Sequence, residues 1–276
     1  MIEITQPFLF FGGPYSNLEA LQEMRKVAQR LNIEADQCLC SGDVVAYCAD
    51  PQGCVDEIRD WGVHVVMGNC EESLGFGKND CGCGFDEGTA CDLLSKQWFD
   101  YAERNLNEDA RKWMRELPRS IDLVYKTLRL QAIHGGIDEI NRFIFASQND
   151  VIAEEFKNTS ADIILGGHCG IPFVHRQDEK LWVNSGVIGM PANDARSNTY
   201  YVLITPHEDG LEFSFHELVY DYGLSAEKMR RNNLAEVYAK TLETGVWSSL
   251  DVLPDTEKEK TASPLNLETV FYKKAS

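Results

Sequence analysis

Four side chains that can bind a metal ion each stand beside a glycine, directly after a short apolar run. They are Asp43 after Gly42, Asn69 after Gly68, His134 before Gly135, and His168 after Gly167. Carboxylate and amide oxygens suit magnesium, manganese or iron, and imidazole nitrogens add zinc to that set. Any one of them alone would be typical of a turn or a structural histidine. The repeated pattern predicts that all four meet at one metal site.

The apolar runs before these side chains have the length of buried β-strands. They cover residues 8–11, 38–41, 64–67, 130–133 and 162–165. Amphipathic segments at 17–31 and 55–61 separate the first three runs, so the chain begins β-α-β-α-β and predicts parallel strands with right-handed crossovers. Strands of this kind bring their carboxyl ends to one edge of an open sheet, where ligands bind.

Further along the chain, strand-like runs follow one another more directly, which favours a mixed sheet or two packed sheets. A glycine- and cysteine-rich insert at about 75–91 interrupts the alternation, and helices are predicted at 92–105 and 108–117. We expect a first domain over residues 1–217. Residues 218–276 are expected to form a helical extension with a charged tail, solvated and partly disordered.

Composition restricts the possible partners. The formal net charge of −18 disfavours binding to nucleic-acid backbones, so an anionic substrate would need a local cation such as a metal ion. The sequence has no signal-peptide pattern and no apolar run long enough to cross a membrane, and we expect a cytoplasmic protein. Its nine cysteines are an odd number, which argues against a complete disulfide framework and leaves metal or thiol chemistry open.

The order of these motifs resembles that of the calcineurin-like metallophosphoesterases. Gly42-Asp43, Gly68-Asn69, His134-Gly135 and Gly167-His168 follow the family order, and the segments 17–21 and 182–187 also resemble the family. The resemblance covers roughly residues 8 to 205. It implies the metallo-dependent phosphatase-like fold, an α/β four-layer αββα sandwich of two mixed β-sheets flanked by helices. It also implies metal-dependent hydrolysis of phosphate esters.

The departures from the family pattern concern one of its two metal ions. The family has Asp-x-His where this chain has Gly13-Pro14-Tyr15, its last histidine ligand is Gly170 here, and the histidine after its asparagine is Cys70. Three of the four ligands of one ion are therefore missing. The resemblance implies that Asp43, Asn69, His134 and His168 hold the other, a single divalent or trivalent ion such as manganese, iron or zinc.

Five further residues are predicted to act on the substrate. The Tyr15 phenol is expected to donate to a phosphate oxygen, and the Gly12 and Gly13 amides to form a small anion nest. Cys70 stands where the family has its leaving-group acid, a role that requires a thiol pKa near normal. Arg142 is a candidate substrate contact. An alternative for Tyr15 and Cys70 is that they only fill the space left by the missing family residues. The alternative for Arg142 is that it is an ordinary solvated arginine.

The sequence thus predicts a phosphoesterase that acts on a small phosphorylated molecule, either a monoester or a diester. Two alternatives remain open. One is a non-catalytic pseudo-phosphatase that holds a metal or another ligand. The other is a thiol-rich metal or redox sensor, because Cys70 and Cys169 directly follow two predicted ligands.

Overall fold

The structure, a computed structural model, describes residues 1–85 and 88–273. The strands are β1 (Ile2–Glu3), β2 (Phe8–Phe11), β3 (Cys38–Cys40), β4 (His64–Val65), β5 (Ser120–Tyr125), β6 (Leu128–Ile133), β7 (Ile163–Gly166), β8 (Pro172–Gln177), β9 (Lys180–Ser185), β10 (Thr199–His207), β11 (Gly210–Leu218) and β12 (Val270–Tyr272). The helices are α1 (Leu18–Leu31), α2 (Pro51–Trp61), α3 (Asn69–Phe76), α4 (Ala90–Asn105), α5 (Glu108–Glu116), α6 (Asn149–Lys157), α7 (Tyr222–Arg231), α8 (Glu236–Thr244) and α9 (Asp255–Lys258). Within the described ranges, each helix is too short or too polar to traverse a bilayer.

The strands form two six-stranded sheets. The first has the order β1-β5-β6-β7-β9-β8 and the second β12-β11-β10-β2-β3-β4. Both sheets are mixed. In the second sheet, β2, β3 and β4 are parallel and β10 runs antiparallel to β2. In the first sheet, β6, β7 and β9 are parallel, β5 runs antiparallel to β6 but parallel to β1, and β8 runs antiparallel to β9. Helices flank the two sheets, which confirms the predicted α/β sandwich.

The core follows from the two-residue period of the strands. In β2, Phe8 and Phe10 join the apolar cluster that also holds Val183 of the facing sheet, whereas Leu9 and Phe11 join the cluster beneath α1. Successive side chains of a strand point to opposite faces, and both faces are covered here, so the strand reads as an unbroken apolar run. Burying each large apolar side chain contributes about 1.5–3 kcal/mol.

Helix α1 confirms the prediction for residues 17–31. The Asn17 side chain accepts a hydrogen bond from the Ala20 amide at 3.2 Å and so caps the first turn. Leu21, Met24 and Val27 are buried on one face. The helix ends at Asn32, whose left-handed backbone is tolerated by asparagine better than by most residues.

The structure differs from the prediction around the second ligand. The predicted strand 64–67 is shorter, because the Met67 amide leaves the ladder and donates to the Pro118 carbonyl at 2.8 Å. Residues 69–76 form α3, a helix that the sequence does not predict and that reaches into the start of the predicted insert at Gly75. Gly68 precedes this helix, and the Glu71 carboxylate accepts the Gly68 amide at 3.0 Å, which begins the helix as in a capping box.

The C-terminal segment contains structure that the sequence does not predict, although the charged residues 255–260 are exposed as expected, except for Glu257. Strand β12 lies at the edge of the second sheet and pairs with β11, and the Glu257 side chain is buried and accepts a hydrogen bond from the Ser147 amide at 3.1 Å. Helix α7 is linked to the first half of the chain by Lys228, which pairs with Asp50 at 2.8 Å. The domain division at residue 217 stays a prediction, but the extension is packed onto the sheets.

Candidate metal centre

Four strand or helix ends deliver the four predicted ligands to one place. Asp43 follows β3 and His168 follows β7, both with positive backbone φ (55° and 60°), while His134 follows β6 and Asn69 begins α3. All four side chains are buried. The site therefore combines residues from both sheets, since β3 lies in the second sheet and β6 and β7 lie in the first.

The potential ligand atoms converge on one imidazole nitrogen. His134 Nε2 lies 3.0 Å from Asn69 Oδ1, 3.1 Å from His168 Nδ1 and 3.2 Å from Asp43 Oδ2. One atom from each of Asp43, His134 and His168 lies within 4.8 Å of the others. Oxygen and nitrogen ligands about 2.0–2.2 Å from one ion stand roughly 3.0–3.5 Å from one another, so these separations are those of a coordination shell.

The orientation of His134 leaves its Nε2 lone pair free for this shell. Its Nδ1 lies 2.6 Å from the Ser41 carbonyl oxygen. A carbonyl only accepts hydrogen bonds, so in neutral His134 the proton is on Nδ1 and the lone pair is on Nε2. Such a backbone contact sets the ring and the tautomer of a metal-binding histidine.

The glycine- and cysteine-rich insert orients Asn69. Asn69 Nδ2 donates to the Cys81 carbonyl at 2.9 Å and lies 3.4 Å from Cys83 Sγ. With its amide nitrogen engaged by the insert, the carboxamide presents Oδ1 to His134. Cys81 and Cys83 are joined by a disulfide in this loop. Predicted insert residues 86 and 87 lie outside the described part of the chain.

Glu71 is a buried site residue that the sequence reasoning missed. Its carboxylate accepts hydrogen bonds from the backbone amides of Asp43 (2.7 Å), Val45 (3.3 Å) and Gly68 (3.0 Å). These bonds hold the Asp43 loop against the start of α3. Burial and the neighbouring Asp43 charge raise the pKa of Glu71 to about 7. The signal was in the sequence, as a glutamate three residues after the glycine that precedes a helix.

Asp43 and His134 each favour the charged form of the other. Burial opposes ionisation of Asp43, but the charge and hydrogen bond of His134 lower the pKa of Asp43 below its ordinary value. Burial likewise opposes the charge on His134, and Asp43 raises the pKa of His134 above its ordinary value. Burial and the charge of His134 lower the pKa of His168 to about 3, which keeps that imidazole neutral.

The donor set fits a metal ion. Asn69 Oδ1, Asp43 Oδ2 and His168 Nδ1 all surround His134 Nε2, and a single proton at that point can satisfy only one of them. A cation between them would satisfy every lone pair at once. One carboxylate, one amide oxygen and two imidazoles suit manganese, iron or zinc. The backbone is closely adapted as well, since a Cβ on Gly68 would lie 2.2 Å from Asp43 Oδ1.

Three other residues that the sequence predicts to act on the substrate are Cys70, Tyr15 and Arg142. Cys70 is buried, and its amide donates to Asp43 Oδ1 at 3.1 Å; burial and the Asp43 charge raise the pKa of its thiol well above the ordinary value. Tyr15 is buried, and burial followed by the Asp43 charge raises the pKa of its phenol well above 10. Arg142 pairs with Glu155 at 2.7 Å and with Glu154 at 2.8 Å.

Gly12 and Gly13 lie where other chain segments approach closely. A Cβ on Gly12 would lie 1.7 Å from the Gly186 carbonyl oxygen, and one on Gly13 would lie 2.7 Å from the Asp43 carbonyl oxygen. Both positions therefore require glycine for packing. Their predicted part in anion binding, like the roles of Tyr15, Cys70 and Arg142, stays a prediction.

Beside the metal centre lies a cavity of about 90 Å³, which we call the aromatic cavity. Its walls come from widely separated parts of the chain, and they include His168, Gly170 and six aromatic side chains: Tyr15, Tyr47, Phe85, Phe143, Tyr238 and Trp247. Sequence reasoning did not find this cavity. Tyr15 and Gly170, two positions where the family resemblance implies lost ligands, both line it.

Solved structures and a curated sequence resemble this chain along most of its length. The structure of a metallophosphoesterase from Sphaerobacter thermophilus matches with a TM-score of 0.69 at 19% identity, over 88% of this chain and 100% of that one. A hypothetical protein from Pyrococcus horikoshii OT3 matches with a TM-score of 0.72 at 18% identity, over 88% and 99%. An uncharacterized protein of Methanocaldococcus jannaschii is 25% identical over 248 residues, 84% of this chain and 95% of that protein.

The fold is therefore shared with these structures, and the family follows from the sequence itself. Residues 19–209 match the calcineurin-like phosphoesterase superfamily domain, a span of well over half the chain. The match includes all four side chains of the metal centre. This confirms the resemblance drawn from the motif order: the chain belongs to the calcineurin-like phosphoesterase superfamily.

Proposed function

We propose that this protein is a metal-dependent phosphoesterase that hydrolyses a small phosphate ester, using one metal ion held by Asp43, Asn69, His134 and His168. The observation that carries the proposal is the convergence of one oxygen or nitrogen atom from each residue, 3.0–3.2 Å from His134 Nε2. Membership of the phosphoesterase superfamily supports the reaction class. The donor set favours manganese, iron or zinc.

A metal ion in this centre supplies positive charge that polarises a phosphoryl oxygen and lowers the pKa of water. The protein's part is to hold the ligands rigidly. Ser41 fixes His134 through Nδ1, and the Cys81 carbonyl fixes Asn69 through Nδ2. Because these contacts are made by the protein's own backbone, they fix the orientation of the ligands for reaction.

Tyr15 is proposed as a hydrogen-bond donor to the phosphate. The raised pKa of its phenol keeps the hydroxyl protonated at neutral pH, and a protonated hydroxyl can donate to a phosphate oxygen. For Cys70, the raised thiol pKa speaks against transfer of a proton to the leaving group. Arg142 would have to leave its ion pairs with Glu154 and Glu155 to reach a substrate.

Substitution of Asp43 tests the proposal. In Asp43→Ala, bound metal measured by elemental analysis and hydrolysis of aryl phosphate mono- and diesters should both fall more than about 100-fold, since a charged ligand is lost. The matched control is Asp100→Ala, which removes an exposed carboxylate from α4. Wild-type turnover in Asp43→Ala would contradict the proposal.

The same measurements separate the alternatives. Metal uptake that depends on Asp43, without turnover of any phosphorylated metabolite in a screen, would favour a pseudo-phosphatase. Metal binding that follows the oxidation state of Cys81 and Cys83 would favour a sensor, a reading supported by their contacts with Asn69. A cytoplasmic location and the lack of nucleic-acid binding stay predictions.

A further inference from the structure

The aromatic cavity adjoins the metal centre directly. Phe143 lies against the His168 imidazole, with ring centroids 4.2 Å apart, and His168 itself lines the cavity. A phosphate at the metal centre would therefore place one of its ester groups next to the cavity. This inference about the ester group rests on the proposed function, in which the metal centre is the place where phosphate binds.

The rings of the cavity wall hold one another in place. Tyr47 packs edge to face against Tyr15 and against Tyr238, with ring centroids 4.9 Å apart in both pairs. Trp247 donates its indole N–H to the Pro191 carbonyl at 2.7 Å, and its ring covers Gly170, where a Cβ would lie 3.1 Å from the indole. These contacts present fixed ring faces and edges, which bind a planar aromatic ligand with little loss of side-chain entropy.

Charge limits the kind of phosphate that suits this site. The described residues that line the cavity include no lysine, arginine, aspartate or glutamate. Asp43 is the one carboxylate among the four proposed ligands, so with a divalent ion the ligand set would keep one unit of positive charge. That balance suits a monoanionic phosphodiester better than a dianionic monoester, whose second charge would be buried without a partner.

The size of the cavity limits the organic group. Its volume of about 90 Å³ is smaller than the roughly 150 Å³ of an apolar cavity that binds benzene, so a single planar ring is the largest group it can admit, and a fused or branched group is excluded. Tyr238 and Trp247 come from the C-terminal extension, beyond the residues 19–209 that match the superfamily domain. The wall of the aromatic cavity therefore includes residues outside the part of the chain that matches the superfamily domain.

We propose that the substrate is a phosphodiester that carries a single planar aromatic ring, and that the aromatic cavity binds this ring while the metal centre binds the phosphate. The ring can be a simple aryl group or a pyrimidine base. Both present the same flat π-face to Tyr47, Tyr238 and Trp247, and the experiment below distinguishes them.

The test is binding of stable monoanionic analogues to the metal-loaded protein, measured by calorimetry. The probes are methyl phenylphosphonate, methyl butylphosphonate and a thymidine 5′-methylphosphonate. We expect the phenyl or the thymidine probe to bind about 10-fold more tightly than the butyl probe, because ring stacking adds to area burial. The tighter of the two ring probes identifies the aryl or the pyrimidine source. Equal affinities for all three probes would overturn the proposal.

Variants of one ring assign the preference to the cavity. Tyr238→Leu should reduce the ring-over-butyl preference about 3-fold or more, and Tyr238→Phe should retain it because the ring remains. Tyr222→Leu, at a more exposed tyrosine of α7, is the matched control and should retain it as well. Should Tyr238→Leu not fold, Trp247→Leu provides the same comparison. An unchanged preference in a folded cavity variant would contradict the proposal.

The outcome is separable from that of the proposed function. If phosphodiesters are not hydrolysed but the ring preference holds and depends on Tyr238, the cavity assignment stands and the catalytic proposal fails. If aryl and alkyl diesters are hydrolysed alike and no ring preference exists in binding, the catalytic proposal stands and the cavity assignment fails.

Discussion

The metal centre and the aromatic cavity lie side by side but are built by different forces. At the metal centre each polar side chain is held by directional hydrogen bonds to backbone: His134 to Ser41, Asn69 to Cys81, and Glu71 to three amides. In the cavity, rings such as Tyr47 and Tyr238 are held by packing. Removing one partner of a buried hydrogen bond leaves the other unsatisfied and lowers stability, whereas apolar packing tolerates substitution by side chains of similar volume.

The two regions also differ in charge and origin. The metal centre buries Asp43 and Glu71 and lies wholly within residues 19–209. The cavity wall is uncharged among the described lining residues and takes Tyr238 and Trp247 from outside that range. The cavity wall thus draws on both the matched domain and the C-terminal extension, whereas the candidate metal centre draws on the matched domain alone.

The largest effect is expected from Glu71→Gln, which tests the rigidity of the metal centre. The glutamine amino group would face a backbone N–H that now donates to the carboxylate, so the free energy of unfolding should fall by about 2–3 kcal/mol. Metal affinity should fall about 10- to 100-fold, because the Asp43 loop loses its anchor. Denaturant unfolding and metal titration measure the two effects.

The neighbouring Glu72→Gln is the control for this change. Glu72 pairs with Lys78 at 2.7 Å and also with Arg119; both cations are exposed, and such surface pairs contribute only about 0–1 kcal/mol each. If the two variants lose the same stability, the hydrogen bonds of Glu71 do not set the geometry of the centre, and the contrast with the cavity weakens.

An intermediate effect is expected from Gly82→Ala, which tests the insert as a support for Asn69. Gly82 has φ +64°, and an added Cβ would lie 2.7 Å from Ser73 Oγ, so the adjacent Cys81 carbonyl should shift away from Asn69. We expect metal affinity to fall about 10-fold. Metal titration with a competing chelator measures it.

Gly77→Ala separates this clash from backbone strain. Gly77 has a similar φ of +66°, but nothing lies within 4 Å of its added Cβ. Both variants should lose stability by about 1 kcal/mol from the left-handed backbone, and only Gly82→Ala should lose metal. Equal metal affinity in the two variants would show that the insert does not orient the ligand.

The smallest effect is expected from Tyr238→Phe in the cavity. The ring contact with Tyr47 remains after the hydroxyl is removed, so the free energy of unfolding and the metal affinity should change by less than about 0.5 kcal/mol. Thermal unfolding and metal titration check this. If Tyr238→Phe lowered the free energy of unfolding as much as Glu71→Gln, the cavity would depend on hydrogen bonds as strongly as the metal centre does.

Much of the fold could be predicted because its signals are local. The apolar runs ending at glycine became β2, β3, β6 and β7, and the Asn17 cap began α1 as expected. The predictions failed where distant backbone decided the outcome. The Met67 amide bonds to the Pro118 carbonyl instead of continuing its strand, and β12 in the C-terminal segment pairs with β11, where Val270 lies opposite Phe213, 57 positions earlier in the chain (270 − 213).

The sequence by itself identified the four side chains of the candidate metal centre, because each stands beside a glycine directly after an apolar run. The tertiary structure alone decided the surroundings of that centre. It joined Tyr15 and Tyr47 to Phe143, Tyr238 and Trp247 in one cavity. Apolar and aromatic contacts carry no directional or spacing signal along the chain, so only the packed structure reveals which rings meet.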